Sequence, residues 1–547
     1  MSATNEKSET QQLTFRRYKD GDSKHVPWNK HIFQASHSYK CPTYIQSTPP
    51  CQGSCPSGED IRGYLNIVRG VEKPPVGADG KPVMSWQEYA WRRLTEANPF
   101  PSVMGRVCPA PCETGCNRNA LEDHVGINSV EHFLGEYAIK NNLKFAAPAT
   151  KTGKKIAVIG GGPAGLSAAY QLARMGHDVT IFDEHEFLGG MMRYGIPGFR
   201  TPREVLDAEI QRILDLGVQV RLGCRVGTDI TLDELRLNFD ALFLGMGAQA
   251  GRALPVADCE APNVVTATAF LRAFNDGRLQ HVGKRVVVVG GGDTSIDVAT
   301  VARRLGHIEH AHPTDFEGAI AGRMAHDVAE ISVKQGAEVT LTTVFPVDKM
   351  QANRHEVEQA LAEGIDIRGG LAPVGIVRGP DGRATALRLA ECEAKMVGPR
   401  LELKIKEGTE QDIPADLIVS AIGQAVDFTG LEEFNNGKGA VGADRNYQVQ
   451  GKPGVFAGGD VLRPHLLTTA IGHGAIAAEG IDRFLGGEEL EKRPKIDVHQ
   501  FDLMRKYVEK GVSLPKVEEP LRGTDRTAGA VHNFDNRSER YVIPHGQ

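Results

Sequence analysis

Six cysteines lie within the first 120 residues, in two groups. The stretch "HSYKCPTYIQSTPPCQGSCPSGED" carries Cys41, Cys51 and Cys55, and "GRVCPAPCETGCNR" carries Cys108, Cys112 and Cys116. Thiolates are soft ligands that suit iron–sulfur clusters and zinc. The x3 spacings are unlike the C-x2-C knuckles of zinc sites, so clusters are the expected cargo. Two four-iron clusters would need eight ligands, two more than the thiols supply. Cys224, Cys259 and Cys392 are scattered and read as ordinary core or surface residues.

A second chemistry sits on glycines. "KKIAVIGGGPAGLSAAYQLARMGHDVTIFDE" reads as strand (Lys155 to Ile159), glycine turn, helix (about Pro163 to Met175) and strand. In the turn, Gly160 tightens the chain, Gly162 lets backbone N–H groups approach a pyrophosphate, and Gly165 permits close helix–strand packing. The helix N-terminus favours the negative charge. Asp183 ends the second strand, 18 residues past Gly165, where an acid can hold a ribose hydroxyl pair. The pattern returns in "GKRVVVVGGGDTSIDVATVARRLG", with Gly290, Gly292 and Ser295 after the strand Arg285 to Val289. Serine is small enough for the third position, so a second dinucleotide site is expected, lined by Gly290, Gly292, Asp293, Thr294 and Ser295.

Later, "GVFAGGDVLRPHLLTTAIGHGAIAAEGID" predicts a strand, Gly458-Gly459-Asp460, and a helix from near Thr468. An Asp at this point can bond a flavin ribityl chain, and the helix N-terminus can stabilise charge on a reduced flavin. The segments "PADLIVSAIGQAVD" and "FDALFLGMGAQAG" resemble each other, which suggests one nucleotide fold split by another. The fold class is then α/β. Two Rossmann-like domains, FAD-binding and NAD-binding, are expected, the second inserted in the first, behind a helical two-cluster iron–sulfur domain. The expected boundaries are 1–150 for the helical 4Fe–4S domain, 151–270 with 420–486 for FAD, 271–419 for NAD(P)H, and 487–547 for an extended tail.

Composition agrees with a multidomain soluble enzyme. The chain has 547 residues, 24% charged, and a net charge of −6 without a long basic run, which argues against nucleic acid. The opening "MSATNEKSETQQ" has no signal-peptide core, and no apolar run reaches membrane-span length. A cytoplasmic protein is expected, in which a disulfide framework has no place.

The stretches "NPFPSVMGRVCPAPCETGCNR", "GGGPAGLSAAYQLARMGHDVTIFDE", "LGGMMRYGIPGFR", "VVVVGGGDTSIDVA" and "GVFAGGDV" resemble the glutamate synthase small-subunit-like family of iron–sulfur flavoproteins over about residues 37–486. That resemblance implies FAD, NAD(P)H and two 4Fe–4S clusters. It implies that Cys55, Cys108 and Cys112 hold one cluster with Glu131 of "GINSVEHFLGE" as fourth ligand, and that Cys51 and Cys116 hold the other. It also places Gly190 and Arg193 of "LGGMMRYGIPGFR", with Gly459, Asp460 and Thr468, at the flavin.

The chain departs from the family at two places. Relatives carry a C-x-x-C pair just before the position of Cys51. Here only Cys41 precedes it, so a non-cysteine ligand is needed, and His37 is the candidate because imidazole can replace thiolate on iron. Relatives that use NADP carry an arginine pair after the second strand of the inserted domain, and here Val344 and Phe345 stand there. Arginine's planar fork suits a 2′-phosphate, so its absence predicts NADH, with Lys349 or Arg354 as possible substitutes. Hydride would pass from NADH to flavin and electrons then singly to the clusters, with no acid–base triad required.

The spread first cysteine group, the 307–335 insertion "HIEHAHPTDFEGAIAGRMAHDVAEISVKQ" and the polar tail resemble the DsrL-type oxidoreductases linked to dissimilatory sulfite reductase. The insertion's four histidines match no standard metal spacing and read as an elaborated loop and helix. The resemblance implies dissimilatory sulfite reductase as the redox partner, with the glutamate synthase large subunit as the alternative and a homodimer as a possible state. No cysteine follows Cys392, so the C-terminal ferredoxin-like domain of that type is not expected within these residues.

Overall fold

The computed structural model describes residues 41–42, 49–121, 124–305, 337–397, 400–490 and 530–531. The chain divides into two units, residues 1–49 with 500–547, and residues 50–499. In the first, Cys41–Pro42 pairs antiparallel with Ala530–Val531, and Cys41 lies opposite Val531. His37, the 307–335 insertion and almost all of the tail lie outside the described residues.

In the second unit the glycine-turn sequences do what their patterning predicts. The strand Lys155–Ile159 is buried at four of five positions, as befits a parallel strand covered on both faces. Neighbours in its sheet are, in order, Val455–Ala457, Ala241–Leu244, Lys155–Ile159, Asp178–Phe182 and Gln219–Arg221, all parallel. From the central strand the chain runs first to one side and then to the other. This creates a switch point at the strand's C-terminal end, where ligands bind in such sheets.

The second sheet repeats the plan. Its order is Asp366–Gly369, Glu338–Thr343, Arg285–Val289, Leu417–Ser420 and Val264–Thr266, again all parallel. An antiparallel sheet of Leu371–Arg378, Ala384–Val397, Arg400–Ile405 and Gln411–Pro414 extends from it. The insertion is therefore as expected, but its edges lie elsewhere. Val264–Thr266 pairs with Leu417–Ser420, so the inserted sheet takes residues on the N-terminal side of 271 and runs to 420. The crossing itself is made where Ala250–Gly251 pairs antiparallel with Gln424–Ala425. These are the ends of the two segments that resemble each other in sequence.

The N-terminal cysteine region is helical. Ile61–Val68, Trp86–Thr95, Pro101–Val107 and Ile127–Lys140 enclose Tyr64, Trp91, Leu94, Ile127 and Leu134. Each such large side chain contributes roughly 1.5–3 kcal/mol by leaving water. Phe100, Val103 and Met104 instead join the core of the first sheet, against Ile210 and Ile213. No helix among the described residues is long and apolar enough to cross a membrane.

Candidate functional site

A cleft of about 520 Å³ opens at the first switch point. Gly160, Gly162, Asp183, Gly190, the run Gly245 to Gln249, Gly459 and Asp460 line it. Gly160 has φ of 97°, and a Cβ there would lie 2.5 Å from the Gly245 oxygen. Only glycine turns the chain in that space. A second cleft of about 550 Å³ shares Gly160, Asp183 and Gly247 and continues past Cys224, Arg225 and Asp427. Together they form an elongated, glycine-floored trough that fits a dinucleotide.

Asp183 is buried and already accepts two backbone N–H bonds, from Gly161 at 2.6 Å and from His185 at 2.8 Å. It therefore braces the glycine turn and still presents lone pairs to the trough. Asp460 accepts from His465 N–H at 3.1 Å, and burial pushes its carboxyl up to about 6. The helix Leu467–Leu485 begins at the trough, with Leu466 and Leu467 on its wall. Arg193 is held by the Leu188 carbonyl, at 2.6 Å, and by Asp207, and it is not among the trough-lining residues.

The thiols fall into two neighbourhoods. Cys112 feels the charges of Cys55 and Cys108 and of the buried carboxylates Glu59 and Glu131, while Cys51 feels Cys116. Burial and these neighbours push Cys108 up to about 12, and Cys55 and Cys112 further. Asn98 Nδ2 bridges the two acids, donating to Glu131 at 2.7 Å and to Glu59 at 3.0 Å. Burial holds Glu59 at about 7 and Glu131 well above the carboxylate range. Three thiols and two acids in one shared neighbourhood resist ionisation together unless a positive centre joins them, which is the donor chemistry an iron–sulfur core requires. Among the described residues no three His, Cys, Asp or Glu side chains stand at the spacing of a single metal ion.

One helix joins thiols and trough. A Cβ at Gly472, on Leu467–Leu485, would lie 2.2 Å from the Pro56 oxygen, so this helix packs directly on the Cys55 loop. One turn earlier, Thr468 is buried and its hydroxyl has no well-aligned partner in the protein, yet it favours ionisation of Cys108.

A buried acid also ties the two regions. Glu209, wholly buried on the helix Arg203–Leu214, accepts from Ser102 N–H at 2.8 Å and Val103 N–H at 3.0 Å. These are first-turn donors of Pro101–Val107, the helix that leads into Cys108. Arg212 lies 4.0 Å away and stacks over Trp91. Glu209→Ala would strand those donors and the buried guanidinium. It is expected to destabilise the fold by about 3–5 kcal/mol, read as a lower urea midpoint at unchanged slope, with Glu209→Gln less affected.

At the second switch point a Cβ on Gly290 would lie 2.5 Å from the Ala421 oxygen, repeating the first turn's close approach. Ser295 Oγ is buried and donates to the Gly292 carbonyl at 2.6 Å. Asp293 starts the helix Asp293–Leu305 and accepts from Asn353 N–H at 2.8 Å, with Thr294 beside it. Val344 and Phe345 follow directly on the strand Glu338–Thr343. Lys349 is exposed, and Arg354 pairs with Glu358. Two features escaped sequence reasoning. Arg225 bonds both Glu184 and Asp427, joining the two halves of the split fold, and Arg200 reaches Asp297 and Glu356 of the inserted domain. Neither has a local signal, because the partners lie up to 202 residues apart.

Residues 154–474 match the pyridine nucleotide-disulphide oxidoreductase family, and residues 23–143 match the family described as dihydropyrimidine dehydrogenase domain II, 4Fe-4S cluster. The chain is 33% identical over 468 residues to the NADP(+)-dependent formate dehydrogenase subunit beta of Moorella thermoacetica, covering 80% of this chain and 60% of that protein. It is 33% identical to the glutamate synthase (NADPH) small chain of Mycobacterium tuberculosis, covering 82% of this chain and 88% of that one. The Escherichia coli small chain is 31% identical, with 80% and 89% covered. Among solved structures, Mycobacterium tuberculosis FprA in complex with NADPH shares the fold, with a TM-score of 0.51 at 17% identity over 65% of this chain and 90% of that one.

Proposed function

The chain belongs to the iron–sulfur flavoprotein family of the glutamate synthase small subunit, and from that premise we propose that it passes electrons between NADH and a redox partner through FAD and two 4Fe–4S clusters. FAD bound in the trough supplies the exchange of a two-electron hydride for single electrons. The glycine turn Gly160 to Gly165 binds the pyrophosphate, Asp183 the ribose, and Asp460 the ribityl chain. Cys55, Cys108 and Cys112, with Glu131, hold the cluster nearer the flavin. Cys51 and Cys116 contribute to the other. One observation carries this reading: the helix that begins at the trough packs on the Cys55 loop and brings Thr468 to Cys108. Anaerobic titration tests it. NADH bleaching of the flavin, with a total uptake of about four electrons per FAD, supports two clusters, a total of about three supports one, and no bleaching overturns the reading.

The nicotinamide preference rests on Val344 and Phe345. The relatives' names carry NADPH or NADP(+), whereas this chain lacks cations at those two positions. Charge-assisted bonds to a phosphate are worth about 1.5–3 kcal/mol each. NADH is therefore expected to exceed NADPH in kcat/KM by about tenfold or more, and a V344R/F345R double variant is expected to narrow the gap. Equal efficiencies in the parent protein would refute the preference.

The partner proposed is dissimilatory sulfite reductase, supported by the spread cysteine group, the 307–335 insertion and the tail. The small-chain relatives favour the glutamate synthase large subunit as a second reading. Mixing NADH-reduced protein anaerobically with each purified partner and its substrates separates the two, by which one reoxidises the flavin.

A further inference from the structure

The antiparallel sheet of the inserted domain ends in a two-stranded ribbon that no described part of the chain covers. Ala384–Val397 and Arg400–Ile405 pair in the register Cys392↔Ile405, Glu393↔Lys404, Ala394↔Leu403, Lys395↔Glu402 and Met396↔Leu401. Directly opposed residues share a face. One face is thus apolar, and its outer residues Met396, Leu401, Leu403 and Ile405 are each 43–45% exposed. On the other face Glu393 stands opposite Lys404, and Lys395 opposite Glu402. Among the described residues, Arg400–Ile405 pairs only with Ala384–Val397, which leaves its outer edge without a partner. Exposed edges of this apolar kind template pairing with another strand.

We propose that this edge pairs with the same edge of a second copy of the chain, antiparallel about a two-fold axis through Leu403. The charge pattern selects that occupant and that register. With Leu403 opposite its own copy, Leu401 faces Ile405 of the second chain and Glu402 faces its Lys404. The apolar face becomes continuous over four strands. The charged face becomes the alternating row Glu393, Lys404, Glu402, Lys395, each neighbour of opposite sign. Centring the axis on Glu402 or on Lys404 instead sets like charges against each other. A slip by one residue sets leucine against charge. The interface is isologous and closes at two copies.

Light scattering on the holoprotein across a concentration series tests the proposal. The expected mass is twice the 59.2 kDa of the chain. Leu403→Lys is expected to give monomers that still reduce flavin with NADH, because Leu403 is not among the residues lining the trough. Glu402→Lys alone and Lys404→Glu alone are each expected to raise the dimer Kd by about tenfold or more, since each acts twice across the axis. The double swap restores the alternating row and is expected to return the parent Kd. A parent protein that stays monomeric, a dimer indifferent to Leu403→Lys, or single swaps not rescued by the double would each overturn the proposal.

Discussion

Cys108→Ala is expected to remove about four irons per chain and to uncouple flavin reduction from delivery to one-electron acceptors. The reasoning starts from the pocket. Cys55, Cys108 and Cys112 share it with Glu59 and Glu131; burial pushes every one of these groups toward its protonated form, and the charges of the two acids add to this at all three thiols. A cluster relieves that repulsion only when each thiolate bonds iron, so three ligands will not hold what four hold. Cys108 has the further role of facing Thr468, on the helix that starts at the trough. NADH should still bleach the flavin in this variant, because no trough-lining residue changes. Transfer to a ferricyanide-like or protein acceptor should fall to near background. Iron assay and low-temperature EPR provide the check. Retention of the parent iron content would mean that Cys108 is not a ligand, and the assignment of this trio would fail with it.

The glycine turns were legible because their chemistry is local. A strand of four or five Val and Ile residues, three spaced glycines and an apolar helix lie within about twenty residues, and both copies folded as read. The insertion was legible because "SAIGQA" and "GMGAQAG" resemble each other, and they became the paired crossing. Its edges were not. Val264–Thr266 is three residues long and joins its sheet only through Leu417–Ser420, over 150 positions away, so no window of sequence carries the signal. The same limit hid Glu209. A glutamate on an amphipathic helix looks solvated until the first turn of another helix arrives to donate to it. Glu131 was legible only by resemblance. What sequence could not supply was Asn98, the amide that bridges it to Glu59.

Gly165→Val is expected to abolish FAD retention, with the protein purified colourless or insoluble. A Cβ at residue 165 would lie 1.9 Å from the Gly160 carbonyl oxygen, a backbone atom fixed by the turn. Gly160 cannot yield, because its own Cα faces the Gly245 carbonyl and its N–H is committed to the Phe182 carbonyl at 2.8 Å. The helix Pro163–Arg174 would have to lift from its sheet, opening the trough floor and the core built on Leu166, Ala169 and Tyr170. Overpacking of this kind costs typically 1–3 kcal/mol where side chains can move, and more where only backbone is available. The inserted domain supplies an internal control. There Ser295 occupies the equivalent position, its Cβ 3.0 Å from where a Cβ on Gly290 would stand, and its hydroxyl bonds the Gly292 carbonyl. Ser295→Gly should therefore keep FAD bound and NADH oxidation measurable, while Gly165→Ser should lose flavin almost as fully as the valine variant. Flavin absorbance per chain, with circular dichroism to separate an empty trough from an unfolded chain, decides the matter. A yellow, folded Gly165→Val protein would mean that the first turn can open, and that the trough does not depend on this contact.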